Sequence, residues 1–273
     1  MDKIFCSCCD GSSVNFIKCR SGVNIYRCNS CFIDFAKFNS SNVIPTDPDF
    51  YHGIVLNFDE QVAIAREKLP GRLDAYAQML SRPIRSVVEV GCATGAYAPI
   101  FAELGIAYTG IEIDAEIAKQ AQQRTKANII SGDFLDVSFD TPIDLFFCSQ
   151  VLEHVPEPKA FIEHAKKVAA NGIIHVDVPN HAGLISNIRK LVSKTQYGFI
   201  QPPYHMIAYN QKALGDLFTR CGLSEIHCRP LRNDDPIWGQ LVVGASLAQR
   251  VAYSVSDVFS GGSLLTGTAL ATA

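Results

Sequence analysis

The chain has 273 residues, of which 48% are hydrophobic and 19% are charged, so it can bury one ordinary domain plus a small module and is not a disordered tail. Its net charge of -3 provides no broad basic surface, which makes nucleic acid an unfavourable partner. The N-terminus lacks the apolar core of a signal peptide and no apolar run reaches membrane-spanning length, so we expect a cytoplasmic protein without a transmembrane segment.

Two Cys-x-x-Cys pairs lie near the N-terminus. Cys6 and Cys9 are separated by eighteen residues from Cys28 and Cys31, a spacing typical of a zinc ribbon with four thiolate ligands. Cys8 could compete with Cys9, but only the pair formed by Cys6 and Cys9 matches the second pair. Four thiolates leave no open coordination position, so we expect structural Zn²⁺ in preference to catalytic zinc or a redox pair.

The ribbon is predicted to occupy residues 1–40. Residues 41–82 are predicted to be a linker and N-terminal helices. Pro, Ser and Asn are frequent at 40–48, as is typical of a linker. The pattern at 59–80 favours a helix, with a break expected near Pro70.

The run at 87–95 predicts a buried strand that ends in a tight glycine turn before a helix. Gly91 and Gly95 permit backbone conformations and close ligand approach that a side chain would block, and Glu89 places a carboxylate at the strand's end. The pattern differs from the dinucleotide fingerprint, because Ala93 replaces the middle glycine and the spacing does not suit a pyrophosphate. Alone, this segment fits an ordinary turn or a nucleoside-cofactor site.

Two further strands are predicted downstream, each ending in an acid. The strand at 107–114 brings Glu112 to a position about twenty residues beyond the first turn, where a carboxylate meets ribose hydroxyls in such folds. The strand at 128–134 ends in Asp133, which could accept a hydrogen bond from an exocyclic amine, beside Phe134, which could lie against a base. These acids favour the nucleoside-cofactor interpretation.

A fourth strand, at 144–156, runs into a loop with the sequence V-L-E-H-V-P-E-P. In their order, the four segments resemble the motifs of the class I S-adenosylmethionine-dependent methyltransferases, in the branch that methylates small molecules. The resemblance covers about residues 83–230, with a last strand near the C-terminus. Strands that alternate with helices imply an α/β, doubly wound, mostly parallel sheet. The resemblance implies that this sheet has seven strands, as in the Rossmann-like methyltransferase fold.

The resemblance implies an S-adenosylmethionine site. The residues at motif positions are Glu89, Gly91, Ala93, Gly95, Glu112, Ile113, Asp133, Phe134, Ser149 and Gln150. By analogy with the family, the glycine turn would pass close to the methionine part, Glu112 would bind the ribose, and Asp133 with Phe134 would hold adenine. Ser149 and Gln150, at the end of the fourth strand, would line the side of the site that holds the sulfonium of the cofactor. Ala93 departs from the family, which often has glycine there, and its methyl group should narrow the turn slightly without abolishing binding.

The rest of the methyltransferase domain, residues 83–273, continues the alternation of helices and strands. Gly222 is expected to stop the second of two further helices. The predicted ranges are a helix at 158–170, a strand at 172–179, a helix at 211–221 and strands at 224–229 and 265–272.

Two insertions at about 180–205 and 231–262 do not belong to the minimal fold. Both carry apolar stripes at helical spacing. We expect each stripe either to pack on the sheet, to form a homodimer contact, or to belong to a mobile lid over the acceptor. We expect the insertions to select the substrate. The substrate candidates are Asn180, His181, Tyr197 and Tyr204.

The chemistry requires alignment of an acceptor lone pair with the carbon–sulfur bond of the donor. A hydroxyl or a carbon acid must also lose a proton. His154 and His205 are the candidate bases, and Glu153 could orient either of them or act as the base itself. For both histidines, a structural hydrogen-bonding role is the alternative.

These features predict a methyltransferase that acts on a small-molecule acceptor, at a hydroxyl or carbon of a sugar or natural-product intermediate. A zinc ribbon joined to this core is similar to sugar C-methyltransferases of nucleotide-linked deoxysugars, but their large additional C-terminal domain is lacking, which favours a hydroxyl acceptor. Two alternatives stay open: a zinc-ribbon RNA methyltransferase, and a non-catalytic binding protein on a methyltransferase scaffold. The ribbon carries few basic residues, which disfavours the first.

Overall fold

The computed structural model describes residues 4–20, 23–38, 58–193, 197–201, 204–231 and 262–272. The predicted linker at 40–48 and the apolar stripe at 241–259 in the second insertion lie outside these residues. Within them, no helix combines the length and the apolar character that crossing a bilayer requires.

The described strands form two sheets. The strands are β1 (Val14–Arg20), β2 (Val23–Cys28), β3 (Asp34–Phe38), β4 (Ser86–Val90), β5 (Ala107–Glu112), β6 (Asn128–Ser131), β7 (Leu145–Ser149), β8 (Ile173–Pro179), β9 (Ile207–Ala208), β10 (Ser224–Leu231) and β11 (Leu264–Leu270). The helices are α1 (Phe58–Leu80), α2 (Ala98–Glu103), α3 (Ala115–Thr125), α4 (Pro158–Val168), α5 (Leu184–Val192) and α6 (Gln211–Arg220), with a 3-10 turn at Phe134–Asp136.

The larger sheet has seven strands in the order β10-β11-β8-β7-β4-β5-β6. Strands β4 to β8 pair in parallel, whereas β11 is antiparallel to both of its neighbours. Successive residues of the strands face opposite sides of the sheet. Val87 and Phe147 belong to the core that includes α1 and α2, whereas Val88 and Phe146 belong to the core that includes α4 and α6. The predicted doubly wound, mostly parallel seven-stranded fold is confirmed.

Helix α1 continues through Pro70, so the predicted break is wrong. Proline removes one backbone donor and usually kinks a helix. Here the buried face extends on both sides of the proline, through Leu69, Leu73 and Tyr76. Packing of this face against the sheet outweighs the missing hydrogen bond.

The smaller sheet joins the N-terminal segment to the rest of the chain. Its strand order is β1-β2-β3-β9. Strand β9 follows the first insertion and pairs with β3, with Phe35 opposite Ile207. Ile33 and Phe35 are fully buried in the same hydrophobic cluster as residues of the large sheet. The cysteine-containing segment therefore shares a core with the large domain.

The first insertion contains the predicted helical stripe as α5. Two residues of that stripe face outward from the described part of the chain: Leu191 is 85% exposed and Val192 is 71% exposed. The remainder of the insertion returns to the smaller sheet, where Tyr197 and Ile200 are buried in one cluster with Val23, Ile25 and Ala36. This segment therefore connects the large sheet to the small one.

Gly172 precedes β8 at a point where the backbone is crowded. A Cβ there would lie 2.5 Å from the carbonyl oxygen of Ile143 and 2.7 Å from that of Asp144, so Gly172→Ala should lower the free energy of unfolding by about 1–3 kcal/mol. Gly215 of α6 is the matched control: its nearest neighbour would be Cys228 at 3.9 Å, and alanine there should add about 0.5–1 kcal/mol. Urea unfolding measures both, and equal stability of the two variants would contradict the packing described.

Candidate active site

The candidate site lies at the carboxyl edge of the large sheet, where the strand order reverses. Neighbours β4 and β7 lead in opposite directions, to β5 and to β8. Open α/β sheets bind ligands in the crevice at such a point. The turn after β4 meets the loop after β7 directly, because a Cβ on Gly91 would overlap Cγ2 of Val151.

The glycine turn has a left-handed backbone at three positions. The φ angles are 71° at Gly91, 46° at Ala93 and 72° at Gly95. A non-glycine residue in this region costs roughly 1–2 kcal/mol, so Ala93 holds a strained conformation. This accounts for the glycine of the resembled family at that position, and local strain of this kind is typical of ligand sites.

Glu112 connects the end of β5 to the turn. Its Oε2 accepts from the Ala93 amide at 3.0 Å, and its Oε1 accepts from the Asp114 amide at 3.1 Å. Burial raises the pKa of this carboxyl, and the two amides oppose the rise. Each carboxylate oxygen has a second lone pair, so Glu112 can hold the turn and still accept from ribose hydroxyls. The adjacent Ile113 is 73% exposed and offers apolar surface beside them.

The predicted adenine residues have different surroundings. Asp133 begins the 3-10 turn and accepts from the Leu135 amide at 2.9 Å. The ring of Phe134 is only 3% exposed, and its centroid lies 5.1 Å from that of Phe161 and 4.7 Å from that of His164. Little of this ring is left to contact a base. The next residue, Leu135, is 40% exposed.

Glu89 is buried under the turn. The Tyr108 hydroxyl donates to its Oε2 at 2.5 Å. Burial raises the pKa of Glu89 to about 8, although the Tyr108 hydrogen bond lowers it and Glu112 raises it further. The carboxyl is therefore predominantly protonated at neutral pH.

Glu89→Gln should change how stability depends on pH. The pKa of Glu89 is raised on folding, so the stabilisation that it provides is complete below its unfolded-state pKa and is lost as the pH rises through about 8. Glutamine mimics the protonated form and does not titrate. We expect the free energy of unfolding of the wild type to fall relative to the variant between about pH 5 and about pH 9, measured by urea unfolding. A constant difference across this range would contradict the raised pKa.

The loop after β7 carries buried polar atoms that find no partner in the part of the chain that the structure describes. Ser149 ends the strand, and Gln150 follows in a left-handed conformation with φ 58°. Among the described residues, Nε2 of Gln150 and both carboxylate oxygens of Glu153 have no hydrogen-bond partner. Burial, reinforced by Asp177, raises the pKa of Glu153 to about 8. Unpaired buried polar groups are costly, and their concentration here indicates a ligand site.

The structure brings His154 and His205 together, although 50 residues separate them along the chain. Their ring centroids lie 4.6 Å apart. Nδ1 of His154 lies 3.1 Å from the Tyr204 carbonyl, and Nδ1 of His205 lies 3.0 Å from the Phe199 carbonyl. Burial and the neighbouring His205 lower the pKa of His154 to about 4, and burial also lowers that of His205. Both imidazoles are neutral at pH 7, as a base or a metal ligand requires.

The other substrate candidates lie in different places: Asn180 follows β8 beside the segment that leads into β11, whereas Tyr197 packs against the smaller sheet. Asn180 donates to the Gly262 carbonyl at 3.0 Å and accepts from the Ala182 amide at 3.1 Å. Tyr197 is 9% exposed, with its ring centroid 5.7 Å from that of His181. These side chains contact other parts of the protein, and their predicted role in acceptor binding stays a prediction. Tyr204 joins the histidine pair through its carbonyl.

His181 forms a buried polar chain that the sequence analysis missed. Its Nε2 lies 2.9 Å from Oδ2 of Asp34, and its Nδ1 lies 3.2 Å from the Ser186 hydroxyl. Arg27 also donates to Asp34, at 2.6 Å and 2.7 Å. Burial opposes ionisation of Asp34, but His181 and Arg27 outweigh it and lower the pKa of the carboxyl. This chain fixes the insertion to the N-terminal sheet.

A second missed group lies on β8 beside the active-site loop. His175 and Asp177 are completely buried, 3.1 Å apart at Nε2 and Oδ2. The Asp177 carbonyl accepts from the Gln150 amide at 2.8 Å. Two polar residues at a spacing of two within an apolar strand share one face, and that spacing was the available signal.

The predicted thiolates converge. Sγ atoms of Cys6 and Cys31 are 3.6 Å apart, those of Cys9 and Cys28 are 3.5 Å apart, and all four lie within 4.8 Å of one another. Zinc–sulfur bonds of about 2.3 Å in a tetrahedron separate the sulfurs by just under 4 Å, so the set fits a zinc ion. The hydrogen bond with Cys31 and burial raise the pKa of Cys6 well above its usual range. Neighbouring thiols ionise together only when a cation compensates their charge.

Comparison with known proteins supports the predicted methyltransferase domain. The methyltransferase domain family matches residues 88–176. A ubiquinone biosynthesis O-methyltransferase from Xanthomonas campestris pv. campestris (strain B100) is 32% identical over 100 residues, which are 34% of this chain and 42% of that protein. One from Glaesserella parasuis is 29% identical over 108 residues, covering 35% and 46%. The chain thus matches less than half the length of these curated relatives.

Solved structures agree in fold. The plantazolicin methyltransferase BpumL, in complex with SAH, has a TM-score of 0.58 at 17% identity and covers 82% of this chain and 91% of its own. A SAM-dependent methyltransferase from Archaeoglobus fulgidus has a TM-score of 0.51 at 17% identity, covering 81% and 100%. These likenesses confirm the predicted methyltransferase fold. The matched domain and the curated relatives confirm the predicted resemblance of the core to methyltransferases and support an enzyme, whereas the similarity to sugar methyltransferases stays a prediction.

Proposed function

We propose that this chain, which carries a class I S-adenosylmethionine-dependent methyltransferase domain, transfers the methyl group of S-adenosylmethionine to a hydroxyl of a small-molecule acceptor. The donor would lie over the glycine turn, with its ribose at Glu112. Its sulfonium would face the loop after β7, beside Ser149 and Gln150. The donor supplies the electrophilic methyl group, and the protein aligns the acceptor and removes its proton.

The observation that carries the proposal is the group formed by Gln150, Glu153, His154 and His205. Burial keeps both imidazoles neutral, so one of them can receive a proton or hold an acceptor oxygen. Nε2 of Gln150 and the Glu153 carboxyl have no hydrogen-bond partner within the described part of the chain, so they are suited to a polar acceptor. A hydroxyl needs such groups because it must lose its proton during transfer.

Two further arguments support the class of acceptor. The matched curated relatives are named as O-methyltransferases, which favours oxygen as the methylated atom. The resemblance of ribbon plus core to sugar methyltransferases favours a sugar or natural-product intermediate. We place structural Zn²⁺ at Cys6, Cys9, Cys28 and Cys31, and we place the protein in the cytoplasm, where thiols stay reduced.

A product-release assay tests the activity. The protein is incubated with S-adenosylmethionine and a panel of sugar, nucleotide-sugar and phenolic acceptors, and S-adenosylhomocysteine is quantified by mass spectrometry. We expect release that depends on one hydroxylated acceptor. Release that depends instead on RNA, and that falls steeply with salt, would overturn the small-molecule assignment in favour of an RNA methyltransferase.

A further inference from the structure

We propose that Glu153, His154 and His205 form a binding site for a divalent transition-metal cation, separate from the cysteine cluster. One ligand atom from each side chain lies within 4.8 Å of the others. The three residues come from the loop after β7 and from the segment before β9, so two parts of the chain meet at one point.

The hydrogen bonds of the imidazoles select their tautomers. A carbonyl accepts and cannot donate, so the short contacts of Nδ1 with the carbonyls of Tyr204 and Phe199 place the proton of each ring on Nδ1. The lone pair is then on Nε2 of both rings. Metal-bound histidines are held in this way, with the second nitrogen donating to a backbone carbonyl or a carboxylate.

The burial of Glu153 also favours a cation as its partner. Glu153 is 1% exposed, and among the described residues neither of its carboxylate oxygens has a hydrogen-bond partner. A bound divalent ion would ionise Glu153 and compensate its charge.

The donor set indicates the class of ion. Two imidazoles and one carboxylate suit zinc, iron, cobalt or nickel, whereas magnesium and calcium prefer oxygen ligands alone. Three protein ligands leave a coordination position open, unlike the four thiolates of the N-terminal cluster. On the proposed function, the acceptor hydroxyl would occupy that position. The cation would lower the pKa of the hydroxyl and orient it, replacing an imidazole as the group that promotes deprotonation, and the proton would pass to water.

Metal titration of the full chain, with its cysteine cluster loaded with zinc, tests the site. Calorimetry with CoCl₂ should show about one further equivalent of cobalt bound per chain. The absorption spectrum of the cobalt-loaded protein should lack thiolate-to-cobalt charge-transfer bands. Glu153→Gln and His205→Gln should each weaken this binding by at least about tenfold. His227→Gln is the matched control, because His227 is exposed on β10 and outside the cluster.

The same preparations are titrated with S-adenosylhomocysteine, which reports the fold of the domain and tests the proposed function independently. Variants that bind S-adenosylhomocysteine like the wild type but have lost the further cobalt equivalent would support the site. Wild-type protein that binds no further cobalt, or variants that bind it with unchanged affinity, would overturn it. Cobalt binding without S-adenosylhomocysteine binding would keep the metal site and contradict the proposed function.

Discussion

Cys31→Ser is expected to release the proposed zinc and to destabilise the whole chain. Cys31 is fully buried, and its neighbours Ile33 and Phe35 pack in the same core as the large sheet. Structural zinc contributes about 10–16 kcal/mol of apparent binding energy in small zinc modules, so loss of one thiolate removes a large part of the stability of this segment. Because β9 pairs with β3, the disturbance should reach the histidine pair.

Metal analysis and thermal unfolding measure the effect. We expect less than one zinc per chain in Cys31→Ser and a lower transition temperature. Cys19→Ser is the matched control, since Cys19 is exposed and outside the thiolate group, and it should retain both properties. Full zinc content in Cys31→Ser, with the transition of the wild type, would contradict the assignment of this ligand.

Glu112→Ala is expected to weaken S-adenosylmethionine binding by about 10–100-fold. Charge-assisted hydrogen bonds contribute about 1.5–3 kcal/mol, and this carboxylate is proposed to bind the ribose while it holds the Ala93 amide. Alanine removes both functions, so the strained turn loses a constraint. Glu112→Gln keeps an acceptor oxygen and should have an intermediate effect.

Calorimetric titration measures these affinities. Asp114→Asn is the matched control at the same strand end: Asp114 caps α3 by accepting from the amides of Glu116 and Ile117 at 2.9 Å, and asparagine is an equally good cap. Its affinity should match that of the wild type. Equal affinity in Glu112→Ala would remove Glu112 from the cofactor site.

Local patterns were sufficient to predict most of the fold. The β-branched run before Gly91 and the acid at Glu112 lie on consecutive parallel strands, and sequence order alone brings their ends to one edge. The cysteine spacing likewise predicted the thiolate group. Pro70 was misjudged, because the local rule omits the packing of a long helix face against the sheet.

Contacts between side chains that are distant in the sequence could not be predicted from the sequence. His154 and His205 were singled out separately, but their shared position depends on the path of the first insertion. Asp34 and His181 are 147 residues apart, and only the folded chain reveals their contact. Phe134 was expected against a base, yet its ring packs against aromatic neighbours, a choice that a strand-end position does not specify.

Calorimetric titration of the wild-type chain with S-adenosylhomocysteine is the decisive test of the methyl-donor site. We expect saturable binding at one site per chain, and a rise in transition temperature as the ligand concentration increases. The absence of binding heat, together with an unchanged transition temperature at high ligand concentration, would contradict the assignment of the glycine turn and Glu112 as a methyl-donor site.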